Sequence, residues 1–422
     1  MGINRGWTFV EPNIFDKFVS QKTLFKDKEH LRHNFRPHQL PHRQDEIEKI
    51  SYNLWEALKG HIPSNMTLYG VTGAGKTAVT DYVCHHPKVK GQTMNRQVES
   101  IMVNCRQIDT QYRVLSHIGN LLLEDHERDE IPFTGWPTDR VFNELIRRMD
   151  RQGGVFVIVL DEIDHLVRKA GDDLLYNLTS MNSSLQSARA CVIGISNDLK
   201  FTDFLDPRVR SRLGQLDVLF KPYDAEQLQD ILRQRAENGL NENVLGAGVI
   251  ELCAALAAQE HGDARCALDL LRISAEKAEQ AGDETVNQHH VRVAQSQIES
   301  DQMTPVIASL PSQQKLVLAA VILNERNGLR NVQTGQVYDI YRQACKHIRQ
   351  NPLTQRRISG LISNLDMLGL VTARTVSKGR YGRSKEINSS IPNNINAQEI
   401  MTTAEEEMRL VFSANYHHQT SL

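Results

Sequence analysis

The stretch GVTGAGKT, Gly70 to Thr77, constrains this chain more than any other feature. It follows a short apolar run, MTLYG, and leads directly into a helical pattern, AVTDYVCHH. Glycines at this spacing let successive backbone N–H groups curl around an anion, and the helix that follows adds its positive N-terminus. A lysine at the seventh position reaches the β- and γ-phosphates of a nucleotide, and the hydroxyl after it suits Mg²⁺. The pattern therefore demands a strand, a tight turn and a helix in that order. It predicts Gly73, Ala74, Gly75, Lys76 and Thr77 as the cradle of a polyphosphate.

Three more apolar runs share the strand-like character of MTLYG: SIMVNC (100–105), VFVIVLD (155–161) and ACVIGISN (190–197). Helical patterns separate them, which is the signature of a parallel α/β sheet. The last two are apolar on both faces, as strands covered by helices on each side must be. The third run ends in Asp161 and Glu162. At the carboxyl edge of a sheet, Asp161 is placed to hold magnesium through water and Glu162 to polarise an attacking water. The fourth ends in Asn197, an amide suited to sensing the γ-phosphate.

After VLFKPY the pattern turns helical. Asp224 with Gln227 three residues on predicts a capping box, and Gly239 closes that helix. Two or three further helices are expected to about residue 280. From 305 a third unit begins: SQQKLVLAAVIL, TGQVYDIYRQACKHI and LTQRRISGLISNLDMLGL as three helices, then VTARTVSKGRYGRSKEI as a hairpin. The division expected is an α/β nucleotide-binding domain over 1–223, a helical lid over 224–300, a winged-helix domain over 301–392 and a tail over 393–422.

Net charge is −2, but residues 304–387 carry thirteen lysines and arginines against four acids, a balance of +9 on an acidic body. That asymmetry points to a polyanionic partner for the C-terminal part. Helix TQRRISGLISNLDML sets Ile358, Leu361, Ile362 and Leu365 on one face, leaving Arg356, Gly360 and Ser363 opposite with Arg357 at the flank. In winged-helix organisation one helix enters the major groove and the wing contacts the backbone. Arg356 and Arg357 are thus expected to meet base edges or phosphates, and Lys378, Arg380, Arg383 and Lys385 of the hairpin to meet phosphate or minor groove. A winged helix can also dock protein. Trp136, in the loop and helix 129–145, reads either as a second DNA contact or as a packed loop residue. The six cysteines are scattered, and Cys84-His85-His86 lacks the second cluster a zinc site needs. The first residues lack the layout of a signal peptide, and no apolar run approaches a bilayer span. A cytoplasmic, nucleoid-associated protein without membrane contact is expected.

The phosphate loop, LDEIDHL, the sensor asparagine, the helical lid and HGDAR together resemble an AAA+ ATPase. The resemblance implies that Arg265 of HGDAR folds back onto the phosphates. It also implies that LDPRVRSRLG, with Arg208, Arg210 and Arg212, inserts an arginine finger into a neighbouring subunit, Arg212 being the best match. LPHR (40–43), IPFTGWPTDRVF, FLDPRVRSRL, PYDAEQLQDIL, GDARCALDLLR and the terminal winged helix, over about residues 10–390, resemble the archaeal origin-recognition-complex type of replication initiator. That likeness implies ATP or ADP with Mg²⁺, double-stranded origin DNA and the replicative helicase as partners, self-association on DNA, and weak ATPase activity serving as a switch. It implies further that Pro41, His42, Arg43 and Tyr223 line the adenine and that Arg235 reaches the nucleotide. A DNA motor of the branch-migration type, and a signal-transducing ATPase with a protein-docking winged helix, remain the alternatives.

Overall fold

The computed structural model describes residues 23–33, 35–37, 39–123, 130–377 and 383–391. The chain divides into two compact units, Met1–Val291 and Arg292–Leu422. In the first, strands β1 (Met66–Gly70), β2 (Val98–Asn104), β3 (Gly154–Asp161) and β4 (Ala188–Ser196) are the four expected from the sequence. A fifth, β5 (Leu216–Phe220), completes a parallel sheet ordered β2-β3-β4-β1-β5. The sequence reading did not count β5. It pairs on one side only, with β1, and Asp217 and Leu219 are exposed, so LDVLF lacks the continuous apolar run that marks β3 and β4.

Helices α1 (Gln44–Lys59) and α2 (Lys76–Thr93) cover one face of the sheet, placing Ile50, Leu54, Val79 and Val83 against Val157, Val159 and Ile193. The other face is covered by α3 (Gln111–Leu121), α4 (Thr138–Gln152), α5 (Ile163–Ala170), α6 (Asp173–Ser180) and α7 (Pro207–Leu213). With both faces covered, all the chemistry of this unit is pushed to the carboxyl ends of the strands.

The lid comprises α8 (Ala225–Gly239), α9 (Val249–Gln259) and α10 (Ala264–Ala281). Asp224 accepts the Gln227 N–H at 2.8 Å while the Gln227 side chain accepts the Asp224 N–H at 3.2 Å, so the capping box forms as its spacing predicts. An N-terminal strap runs along the lid. Phe25 makes an antiparallel bridge to Leu240, and the N–H groups of Lys26 and Asp27 donate to the Gly239 carbonyl at 2.9 and 3.2 Å.

Helix α11 (Gln288–Ser309) leads into the second unit, built from α12 (Ser312–Arg326), α13 (Thr334–His347) and α14 (Gln355–Met367), with β7 (Val371–Ser377) and β8 (Arg383–Ser389) as the expected hairpin. A two-residue strand, β6 (Val332–Gln333), pairs antiparallel with β8 and makes a three-stranded sheet, too short a segment to leave a periodic trace. Ile358, Ile362 and Leu365 of α14 are fully buried and Leu361 half-buried, as the apolar spacing requires. Among the described residues no helix is long and apolar enough to cross a membrane.

Asp224→Ala removes the side-chain half of the capping box and leaves the Gln227 side chain its bond to the backbone N–H of residue 224, a loss of about 1 kcal/mol. Hydrogen exchange of the first-turn amides of α8 should accelerate roughly fivefold, while exchange in α10 stays unchanged; equal rates in variant and parent would show the cap to be inert.

Candidate functional site

The phosphate loop joins β1 to α2 at the centre of the carboxyl edge of the sheet. Gly75, the N-cap of α2, has a φ of 86°, and a Cβ there would lie 2.7 Å from the Tyr223 hydroxyl. Only glycine both adopts that backbone and admits the tyrosine. Lys76 is 5% exposed, and its ammonium donates to the Gly70 and Val71 carbonyls, each at 2.8 Å, and to Asn197 Oδ1 at 2.9 Å. Burial pulls its pKa down to about 8, against the upward pull of the Asp161 carboxylate. Asn197 sits just past β4, which lies between β3 and β1, so the amide faces the lysine across one strand gap.

Asp161 closes the other side. Its Oδ2 accepts the Thr77 hydroxyl at 3.0 Å and its Oδ1 accepts the Glu162 N–H at 3.0 Å. Burial raises its pKa above the usual carboxylate range, with both hydrogen bonds and the Lys76 charge opposing the rise. Two oxygens this close, on a hydroxyl and a carboxylate, form a hard donor pair that fits Mg²⁺. Glu162 adopts the left-handed conformation, φ 55°, as N-cap of α5, and its carboxylate lies 4.0 Å from the Arg106 guanidinium. A non-glycine residue held there stores strain, a common feature of functional edges.

These groups floor a cleft of about 790 Å³ between sheet edge and lid. The volume suits a nucleotide-sized ligand. Arg235, Arg265 and Leu268 of the lid form part of its walls, and the strap contributes His33, Phe35 and Pro37. Asn104, which the sequence reading passed over, also faces the cleft; it ends β2 in register with Asp161. The signal was present in SIMVNC, a third strand finishing in a polar residue at the same edge.

The remaining expected nucleotide contacts divide. Pro41 lines the cleft, and so does Tyr223, which is 6% exposed with its phenol pKa raised by burial. His42 instead bonds Asp230 of α8 at 2.9 Å. Arg43 is buried, donating to the Lys221 carbonyl at 2.6 Å and to Glu46 at 3.2 Å, with its guanidinium 3.9 Å from the centre of the Tyr223 ring. These two residues tie core to lid. Arg235 lines the cleft while donating to the carbonyls of His30 at 3.2 Å and Phe35 at 3.3 Å and lying over the Phe35 ring at 4.8 Å. Burial lowers its pKa to about 10.

Arg208, Arg210 and Arg212 are exposed on α7. Arg210 lies 3.6 Å from Asp203, and Arg212 lies over the Tyr176 ring at 5.4 Å. In the second unit Arg356 and Arg357 are exposed in the first turn of α14, capped by Thr354. Lys385 bonds Ser363 Oγ and the Ser359 carbonyl, fastening β8 to α14. Lys378 and Arg380 lie outside the described residues, as does the side chain of Arg383. Trp136 is half-buried against the core, with the Arg140 guanidinium 3.9 Å over its ring, and Phe133 of the same loop is 60% exposed.

Three family models match successive stretches of the chain. A model of the AAA ATPase domain matches residues 39–193, the Cdc6 AAA+ ATPase-type lid domain matches 229–296, and the Cdc6 C-terminal winged helix domain matches 305–397. The ORC1-type DNA replication protein of Thermococcus onnurineus is 51% identical over 90% of this chain and 91% of its own length. ORC1-type DNA replication protein 1 of Methanosarcina mazei is 50% identical over the same shares. The chain belongs to the ORC1-type DNA replication proteins. Among solved structures, that of the Aeropyrum pernix ORC1 protein in complex with DNA is 40% identical, with a TM-score of 0.67, covering 93% of this chain and 97% of that one. The ORC1-type family, the AAA+ core, the lid and the winged helix were all expected from the sequence.

Arg235→Ala should free the strap, since two carbonyls lose their donor and Phe35 its stacked cation, at a cost of about 1–2 kcal/mol. Exchange of the Lys26 and Asp27 amides should rise about tenfold; unchanged protection would show that the strap is held elsewhere.

Proposed function

We propose that this ORC1-type protein is a replication initiator that holds ATP or ADP in the cleft and grips double-stranded origin DNA through its winged helix. The observation that carries the nucleotide reading is the buried ammonium of Lys76, held between the phosphate loop and Asn197 beside the Thr77–Asp161 pair. A polyphosphate would supply the anion that this desolvated cation lacks. Thr77 and Asp161 would hold Mg²⁺, which when bound neutralises charge on the phosphates. Glu162 would accept a proton from the attacking water, and Arg265 would meet the phosphates from the lid. The α7 arginines do not line their own cleft, which supports a finger offered to a neighbouring copy on DNA and hence slow hydrolysis by the single chain. Nucleotide state then acts as a switch that sets how DNA is gripped and whether the replicative helicase docks, with hydrolysis as the reset. The DNA reading draws on the exposed Arg356 and Arg357, the +9 balance of 304–387 and the relative from Aeropyrum pernix in complex with DNA. Such work places the protein in the cytoplasm at the nucleoid.

Calorimetry with ATP should give a saturable heat in the parent and none in Lys76→Ala, a loss of at least about a hundredfold in affinity. A parent without heat would overturn the nucleotide reading. Arg356→Ala should weaken duplex binding about fivefold and lower the salt slope by about one, with ATP affinity unchanged. Full, salt-sensitive affinity in that variant would remove α14 as the DNA-reading helix.

A further inference from the structure

The loop between α9 and α10 meets the phosphate loop directly. His261 and Gly262 are consecutive left-handed residues, with φ 76° and 67°. The Gly262 N–H donates to the Ala257 carbonyl at 3.0 Å, and its own carbonyl accepts the Tyr223 N–H at 3.3 Å. The loop is thus seated on the segment where core passes into lid. Asp263 follows, and its Oδ1 accepts the Arg265 N–H at 2.7 Å, capping α10.

The same carboxylate occupies the space beside Gly73 that a side chain would fill. A Cβ at Gly73 would stand 1.7 Å from Asp263 Oδ1 and 2.2 Å from its Cγ. Gly73 is itself left-handed, φ 72°, and its carbonyl accepts the Ala264 N–H at 3.3 Å. The first turn of α10 therefore rests on the phosphate loop through one side chain and one backbone bond. Arg265, two residues after Asp263, is exposed and lines the cleft.

We propose that Asp263 is a positioning residue for nucleotide binding: by capping α10 and packing on Gly73 it seats the lid on the phosphate loop and aims Arg265 at the phosphates. The inference rests on the nucleotide reading above. As an anion beside a phosphate site, the carboxylate works against binding through its charge, so its contribution is one of shape and hydrogen bonding. Asparagine keeps both. Serine keeps the cap but is too short to fill the space at Gly73, and alanine keeps neither.

The test is ATP titration of full-length variants by calorimetry, with folding checked by circular dichroism. Asp263→Ala should raise the dissociation constant about tenfold, the scale of a lost cap and contact. Asp263→Asn should bind within about twofold of the parent or more tightly, and Asp263→Ser, with the cap but without the contact, should fall between asparagine and alanine. Because Asp263 acts through Arg265, the double variant Asp263→Ala/Arg265→Ala should bind no more weakly than Arg265→Ala alone. Parent-like binding by Asp263→Ala, rescue by serine as complete as by asparagine, or additive losses would each overturn the inference. If alanine prevents folding, the asparagine–serine comparison decides alone. A parent that binds no ATP would sink the nucleotide reading along with this one, whereas a binding parent with an indifferent Asp263→Ala would sink only this one.

Discussion

A desolvated ammonium organises the first unit. Lys76 lies at the start of α2, almost wholly removed from water, and three oxygens from two strand ends hold it. An unpaired cation at that depth is expensive, so the surrounding chain is shaped to satisfy it. The strand order, which sets β4 between β3 and β1, brings Asn197 within reach. The turn after β1 aims the Gly70 and Val71 carbonyls inward. The acids after β3 supply the opposing charge, and Asp161 is in turn held by Thr77 one residue along. Protein dipoles and the nearby carboxylates, Asp161 foremost, meet the charge in part only, which leaves the site favourable to an incoming anion.

Much of this was legible in the residues. Strands β1 to β4, the capping box on α8 and the three helices with a hairpin at the C-terminal end carry strong periodic or spacing signals. What escaped notice is instructive in the same terms. β5 alternates on an open edge, and β6 is two residues long, so neither offers a window over which a period can be counted. At the cleft, strand-end positions such as Asn104 follow the same logic as Asp161 and Asn197 and were readable in principle.

The roles of Arg43, His42 and Arg235 were not readable, because they depend on partners 178 to 205 positions away in sequence. Local pattern cannot say whether a cation near a nucleotide motif faces the ligand or the backbone of a distant segment. Arg43 shows the distinction well: its guanidinium is sandwiched among Phe220, Tyr223 and the Lys221 carbonyl, and it braces the passage from core to lid. Trp136 is a local case, its ring covered by Arg140 four residues on, at the first turn of α4.

The fastening of β8 to α14 has a bearing on electrolyte sensitivity. Lys385 spends its hydrogen bonds on Ser363 and Ser359 inside the module. A cation so engaged displaces few condensed sodium ions from a duplex, because its field is already shared with protein oxygens. The formal charge of the C-terminal module therefore overstates the number of counterions it could release to a polyanion, because one of its cations is bonded to α14 instead.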